Sequence, residues 1–182
     1  MRRRLLKNLL SEPCTEALGP GSRDQLETLG AALRGALARR LGRSLAIREV
    51  DAGSCNGCEL EIHALTNAFY DIERFGVRFV ASPRHADVLL VTGPVTLNMR
   101  AALERTYAAT PAPKWVVAVG DCGAGCGVFA DSYACVGAVA RVLPVDLVIR
   151  GCPPTPVQLL QGLLWLLTAA VPAGPSDTGG GG

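Results

Sequence analysis

Past residue 44 the apolar residues come in short solid runs rather than alternating ones, and each run gives way to a glycine-rich break or to a segment of helical period. Solid runs rich in valine, leucine and isoleucine are those of strands buried on both faces. The pattern predicts strands at residues 45–50, 77–81, 87–91, 114–119 and 145–150, and helices at 59–75, 99–107, 133–142 and 157–169. Alternating strand and helix predicts an α/β fold, a parallel sheet with helices on both faces.

Ahead of this alternation, Leu26, Leu29, Leu33, Leu37 and Leu41 recur at helical spacing, with Arg34, Arg39, Arg40 and Arg43 largely off the stripe. Ser22-Arg23-Asp24-Gln25 resembles a capping box, so an amphipathic helix is expected here. One narrow row of leucines, with Glu27 diluting the positive charge, suits packing onto the domain or a partner subunit better than a membrane surface. The organisation expected is an N-terminal extension over 1–44, an α/β domain over 45–171 and a disordered proline- and glycine-rich tail over 172–182.

Composition narrows the class. A chain of 182 residues with 49% hydrophobic content can bury one substantial core, not two. A net charge of +2, 5% aromatics and no long basic run argue against nucleic acid as a partner. Arg2-Arg3-Arg4-Leu5-Leu6-Lys7 looks like an export signal, but its apolar stretch is broken at Asn8 and ends at Ser11-Glu12-Pro13, so a cytoplasmic chain is expected. The apolar run from Leu159 to Val171 is interrupted by Gln161 and stopped by Pro172. A spanning helix needs about 20 apolar residues, so this is expected to be a core helix.

The cysteines change the picture most. Three breaks, Gly53-Ser54-Cys55-Asn56-Gly57-Cys58, Gly120-Asp121-Cys122-Gly123-Ala124-Gly125 and Gly151-Cys152-Pro153-Pro154, each follow a predicted strand. In an open parallel sheet the carboxyl ends of the strands lie along one edge, so Cys55, Cys58, Cys122 and Cys152 could share one ligand. A 4Fe-4S cluster takes four thiolates and is anionic, which suits glycine breaks that bring backbone N–H groups close and helices that begin at Cys58 and Thr155-Pro156. Structural zinc more often takes two close pairs, and a dithiol at Cys55 and Cys58 leaves Cys122 and Cys152 unexplained. Seven cysteines are an odd number for a disulfide framework.

Taken in order, Asp51-Ala52-Gly53-Ser54-Cys55-Asn56-Gly57-Cys58-Glu59-Leu60-Glu61-Ile62, the stretch Ser82 to Gly93, and Pro144 to Pro156 with Arg150-Gly151-Cys152-Pro153 resemble the small subunit of membrane-bound NiFe hydrogenases of the formate-hydrogenlyase and energy-converting type, related to the 20 kDa subunit of NADH:quinone oxidoreductase. The likeness runs from about Leu45 to Leu167. It implies a flavodoxin-like fold carrying one proximal 4Fe-4S cluster on Cys55, Cys58, Cys122 and Cys152. It implies as partners a large catalytic subunit, a ferredoxin-like iron-sulfur subunit and integral membrane subunits, with the chain peripheral on the cytoplasmic side of the inner membrane. The alternative it implies is a cluster-bearing subunit of a related complex that lacks nickel. Quinone-reductase members typically carry adjacent cysteines at the first ligand site, so the spaced Cys55-Asn56-Gly57-Cys58 is similar to the hydrogenase branch.

Cys126 lies four residues past Cys122, where the family more often has glycine; it reads as a competing ligand or, preferably, a small buried thiol. Cys135, on the next predicted helix, and Cys14 read as structural. Glu59 and Glu61 suit the dipole at a helix start, with a proton relay as the other reading. His63 reads as a packed helix residue, and Arg84, His85 and Asp87 as a loop ion pair.

Overall fold

A computed structural model describes residues 22–129 and 131–169; the export-like segment, Cys14 and the 172–182 tail lie outside the described residues. The five predicted strands form, and two short ones join them: in chain order β1 (Leu45–Asp51), β2 (Val77–Phe79), β3 (Val88–Thr92), β4 (Val95–Thr96), β5 (Trp115–Val119), β6 (Cys135–Gly137) and β7 (Leu147–Ile149), of which β4 and β6 are the additions. Five of them form one parallel sheet in the order β2-β1-β3-β5-β7, while β4 and β6 make a separate antiparallel ribbon. Counted along the main sheet alone, this is the 2-1-3-4-5 order of flavodoxin-like folds. The expected α/β architecture is what the chain adopts.

Helices α1 (Ser22–Arg40), α2 (Gly57–Ala64), α3 (Leu97–Ala109), the single turn α4 (Gly120–Gly123) and α5 (Pro156–Thr168) surround the sheet. One face packs Leu45, Ile47, Val88, Leu90, Val117 and Val119 against α1, α2 and α5. The other packs Val50, Leu89, Val91, Val116 and Ala118 against Leu103 of α3 and against Val139 and Leu143. Both faces are covered, which is why the strands read as solid apolar runs.

The leucine stripe of α1 is spent inside the chain: Leu26, Leu33 and Leu37 are buried, with Ala36 between them, and Leu29 and Leu41 pack half-buried beside them. Gly30 lets the Phe75 ring lie against the helix, since a Cβ there would run into that ring. Arg40 closes the far end of α5, its Nη1 donating to the Leu166, Leu167 and Ala169 carbonyls, with the guanidinium 5.2 Å from the Trp115 ring centroid. These are among the carbonyls a helix C-terminus leaves without partners.

Two predicted helices turn out differently. The helix expected over 59–75 stops at Ala64, and a separate 3-10 turn follows at Ile72–Phe75. Asn67 breaks it: its side-chain oxygen accepts from the Phe69 and Tyr70 N–H groups at 2.8 and 3.0 Å, holding a turn the helix would need undone. The helix expected over 133–142 is strand β6 followed by a 3-10 turn at Val139–Arg141, because β4 offers an antiparallel partner and the Leu97 N–H donates to the Ala134 carbonyl at 2.9 Å.

Candidate functional site

Strand register sets the site. Asp51 of β1 pairs with Thr92 of β3, Thr92 with Val119 of β5, and Val119 with Ile149 of β7, so four strands end in one row. The three cysteine-bearing breaks leave from that row.

Local bonds fold each break. After β1, the Asp51 carboxylate accepts the Gly53 and Ser54 N–H groups, both at 2.7 Å, and Asn56, left-handed at φ 71, turns the chain into α2 with Cys58 as its second residue. After β5, Cys122 sits in α4, and its sulfur accepts the Val128 and Phe129 N–H groups as the chain loops back. After β7, Cys152 precedes α5, which Thr155 caps in a reciprocal box with Gln158 and Pro156 begins. The second and third breaks are tied together: the Asp121 N–H donates to the Gly151 carbonyl at 2.9 Å, and the Gly151 N–H to the Asp121 carboxylate at 3.2 Å.

Cys55, Cys58, Cys122 and Cys152 line one cleft of about 130 Å³, walled between them by Ser54, Gly57, Gly93, Gly151 and Pro153. Two glycines make this closeness possible. Gly93, at φ 73, lies where a Cβ would stand 2.6 Å from the Ser54 nitrogen, and Gly120, at φ 82, where one would stand 2.6 Å from the Cys58 sulfur. Among the described residues, no three His, Cys, Asp or Glu side chains are close enough to hold a single metal ion.

The cleft disfavours bare thiolates. Burial, then the neighbouring Glu59, Cys55, Cys122 and Cys152, push the Cys58 thiol up to about 12. Burial and then Cys152 and Cys55 raise Cys122 as well, against the lowering pull of the Val128 and Phe129 N–H groups. Thiols in such surroundings ionise readily only beside a cation.

The other predicted residues are distributed around this centre. Cys126 is exposed and does not line the cleft; Arg150 Nη1 donates to its sulfur at 2.8 Å, and this contact raises the arginine's pKa. Cys135 is half-buried on β6, and all six described cysteines are free of disulfides. Glu59 is 6% exposed, with both carboxylate oxygens buried and without a hydrogen-bond partner, so it is no surface cap of its helix; Glu61 is half-buried. His63 is exposed rather than packed. The loop ion pair dissolves: Arg84 and His85 point to solvent, while buried Asp87 pairs with Arg43 at 2.5 and 2.8 Å and accepts the Ala46 N–H at 2.9 Å. Glu49 is half-buried on β1, beside Arg48 and two residues before Asp51.

Several large apolar side chains are exposed: Leu60 of α2, two residues past Cys58, is 63% exposed, Val128 in the segment after Cys122 is 87% and Tyr133 is 97%, with Leu97 at the start of α3 and Phe129 also exposed. Monomers seldom leave such clusters open unless a partner covers them. No helix among the described residues is long and apolar enough to cross a membrane.

Residues 55–166 match the family of the NADH ubiquinone oxidoreductase 20 kDa subunit. Formate hydrogenlyase subunit 7 of Escherichia coli is 44% identical over 137 residues, 75% of this chain and 54% of that protein, so the chain spans about half its length. The Pyrococcus furiosus protein named "Probable membrane-bound hydrogenase subunit mbhJ" is 47% identical over 131 residues, 72% of this chain and 78% of that one. Among solved structures, a chain of the membrane-bound sulfane sulfur reductase, an archaeal respiratory membrane complex, superposes with a TM-score of 0.63 at 32% identity, covering 78% of this chain and 79% of that chain.

Proposed function

The chain belongs to the NADH:ubiquinone oxidoreductase 20 kDa subunit family, and on that premise we propose that it is the electron-transfer subunit of a membrane-bound NiFe hydrogenase complex, carrying the proximal 4Fe-4S cluster on Cys55, Cys58, Cys122 and Cys152. The observation that carries the reading is that thiols from three separate strand ends line one cleft. Four thiols lining one cleft suit a group in which each binds a different iron. When bound, that cluster accepts and passes on single electrons.

The chain's own residues supply the setting. The Val128 and Phe129 N–H groups donate to the Cys122 sulfur, and the positive ends of α2 and α5 begin beside Cys58 and Cys152. Hydrogen bonds to sulfur, burial and net charge set the potential of such a cluster. The exposed Leu60, two residues past Cys58, and Val128, six past Cys122, suit docking of the catalytic large subunit, which would shield the cluster from water. A ferredoxin-like subunit would exchange electrons with it, and integral membrane subunits would hold the assembly at the cytoplasmic side of the inner membrane.

Iron and sulfide analysis with EPR on the purified complex tests this. Serine at any one of the four cysteines is expected to abolish or alter the cluster signal, and Cys126→Ser to leave it intact. The reverse outcome overturns the ligand assignment. Hydrogen-dependent reduction of a low-potential dye is expected in the intact complex, and Cys58→Ser should suppress it while nickel stays in the large subunit.

A second reading is a cluster subunit of a nickel-free respiratory complex, favoured by the likeness to the sulfane sulfur reductase chain. Metal analysis separates the two: a complex without nickel and without hydrogen activity selects the second.

A further inference from the structure

The three cysteine-bearing breaks are acidic. Residues 51–61, 120–129 and 150–156 carry Asp51, Glu59, Glu61 and Asp121, and against these carboxylates Arg150 is their one cation. Arg150 follows β7, two residues before Cys152, and is exposed. An exposed arginine ordinarily leaves its head free in water. This one is held: its Nη1 donates to the Cys126 sulfur at 2.8 Å.

Both ends of that contact are anchored on Asp121, a residue of the cleft wall. The Cys126 N–H donates to the Asp121 carbonyl at 2.9 Å, and the Gly151 N–H, next along the chain from Arg150, donates to the Asp121 carboxylate at 3.2 Å. Gly125, at φ 86, fixes the turn before Cys126, since a Cβ there would stand 2.8 Å from that of Ala138. The backbone therefore sets where the Cys126 sulfur stands, on the same loop whose Val128 and Phe129 N–H groups close on the Cys122 sulfur. The Cys126 contact first, and then the charge of Asp121, hold the Arg150 guanidinium above its ordinary pKa, so it is a cation at every working pH.

We propose that Cys126 holds Arg150 as a fixed cation beside the cleft, and that this charge makes the site easier to reduce. The inference rests on the reading that Cys55, Cys58, Cys122 and Cys152 hold a 4Fe-4S cluster. Reduction brings in one electron from a low-potential donor and adds one negative charge; no bond forms or breaks at Arg150, which keeps its proton throughout. A cation held nearby stabilises the more negative state, where Asp51, Glu59 and Asp121 oppose it. Freed from its anchor, the long side chain would swing into water, where distance and salt weaken its effect. Arg150 is thus a positioning residue that acts by charge, and Cys126 is its holder rather than a ligand.

EPR-monitored redox titration of the whole complex tests this. Arg150→Gln is expected to lose about threefold in the reduction equilibrium constant, a fall of about 28 mV in midpoint at about 59 mV per tenfold for one electron, with iron and sulfide content unchanged. Arg150→Lys keeps the charge and should recover part of the loss. Cys126→Ala should lower the midpoint by less than Arg150→Gln, and should add nothing once Arg150 is changed to Gln. High salt should shrink the gap between wild type and Arg150→Gln. A midpoint unchanged in Arg150→Gln, one as low in Arg150→Lys, or a Cys126→Ala shift that persists in the double variant overturns the proposal. If Arg150→Gln fails to assemble, Cys126→Ala decides alone, and a midpoint equal to that of wild type overturns it. Absence of any 4Fe-4S signal in the wild-type complex overturns the ligand reading instead.

Discussion

Gly120 and Cys58 belong to different strands' ends yet are in contact: a Cβ on Gly120 would lie 2.6 Å from the Cys58 sulfur and 3.4 Å from the Gly151 carbonyl oxygen. The contact joins all three breaks at one point, since Gly120 follows β5, Cys58 opens α2 and Gly151 follows β7. Gly120 also has φ 82, which side-chain-bearing residues rarely adopt.

Gly120→Ala should therefore fail twice over, by backbone strain of about 1–3 kcal/mol and by pushing the Cys58 sulfur aside. The expected outcome is a complex with reduced iron and sulfide content and an altered EPR signal. Full cluster occupancy in Gly120→Ala would show that Cys58 is not held where the cleft needs it.

Thiol reactivity in the metal-free chain should follow burial. The Cys58 thiol, pushed up to about 12, is almost wholly protonated at neutral pH, and the thiolate is the reactive form. Its alkylation is expected to be slow and to rise about tenfold with each pH unit below its pKa, whereas the exposed Cys55, Cys126 and Cys152 react ahead of it. Mass-spectrometric mapping of modified cysteines after a short pulse of iodoacetamide checks the order; Cys58 labelled ahead of Cys126 contradicts it.

Gly30→Ala sets two effects against each other. Alanine is favoured over glycine inside a helix by about 1 kcal/mol, but here the new methyl would run into the Phe75 ring packed on α1. Forcing a methyl into a filled site costs about 1–3 kcal/mol, so net destabilisation is expected. Thermal melts of the two proteins decide it, and a rise in Tm would mean Phe75 moves freely.

Arg43→Ala should destabilise by about 1–3 kcal/mol, the cost of leaving a buried polar group short of partners. Asp87 is buried and would keep only the Ala46 N–H of its present partners. Adding Asp87→Asn to that variant should cost less than the two changes summed, because both remove the same pair. Urea denaturation of the single and double variants measures the coupling, and full additivity would contradict it.

Much of this was legible in the chain. Solid apolar runs marked the strands, and the glycine-cysteine breaks after them marked the edge at which four thiols gather. What stayed illegible depended on partners distant in sequence. Residues 133–142 looked helical because nothing local announces β4, a two-residue strand that pairs with Cys135 and Gly137. Asp87 sat beside Arg84 and His85 in sequence, yet its cation is Arg43, 44 residues away.

By itself, the sequence determined the α/β alternation and the four cysteines past strand ends, because period and turn chemistry are local properties; the flavodoxin-like sheet was what the family resemblance implied. Tertiary structure alone decided that Cys126 turns out of the cleft to Arg150, that the α1 leucines are covered by this same chain, and that Glu59 is buried without a partner. It also decided that Glu49 lines a cavity, because β2 ends at Phe79 and leaves β1 open there. Each of these depends on which surfaces meet when helices close over the sheet, and that outcome is set by packing between segments far apart in the chain.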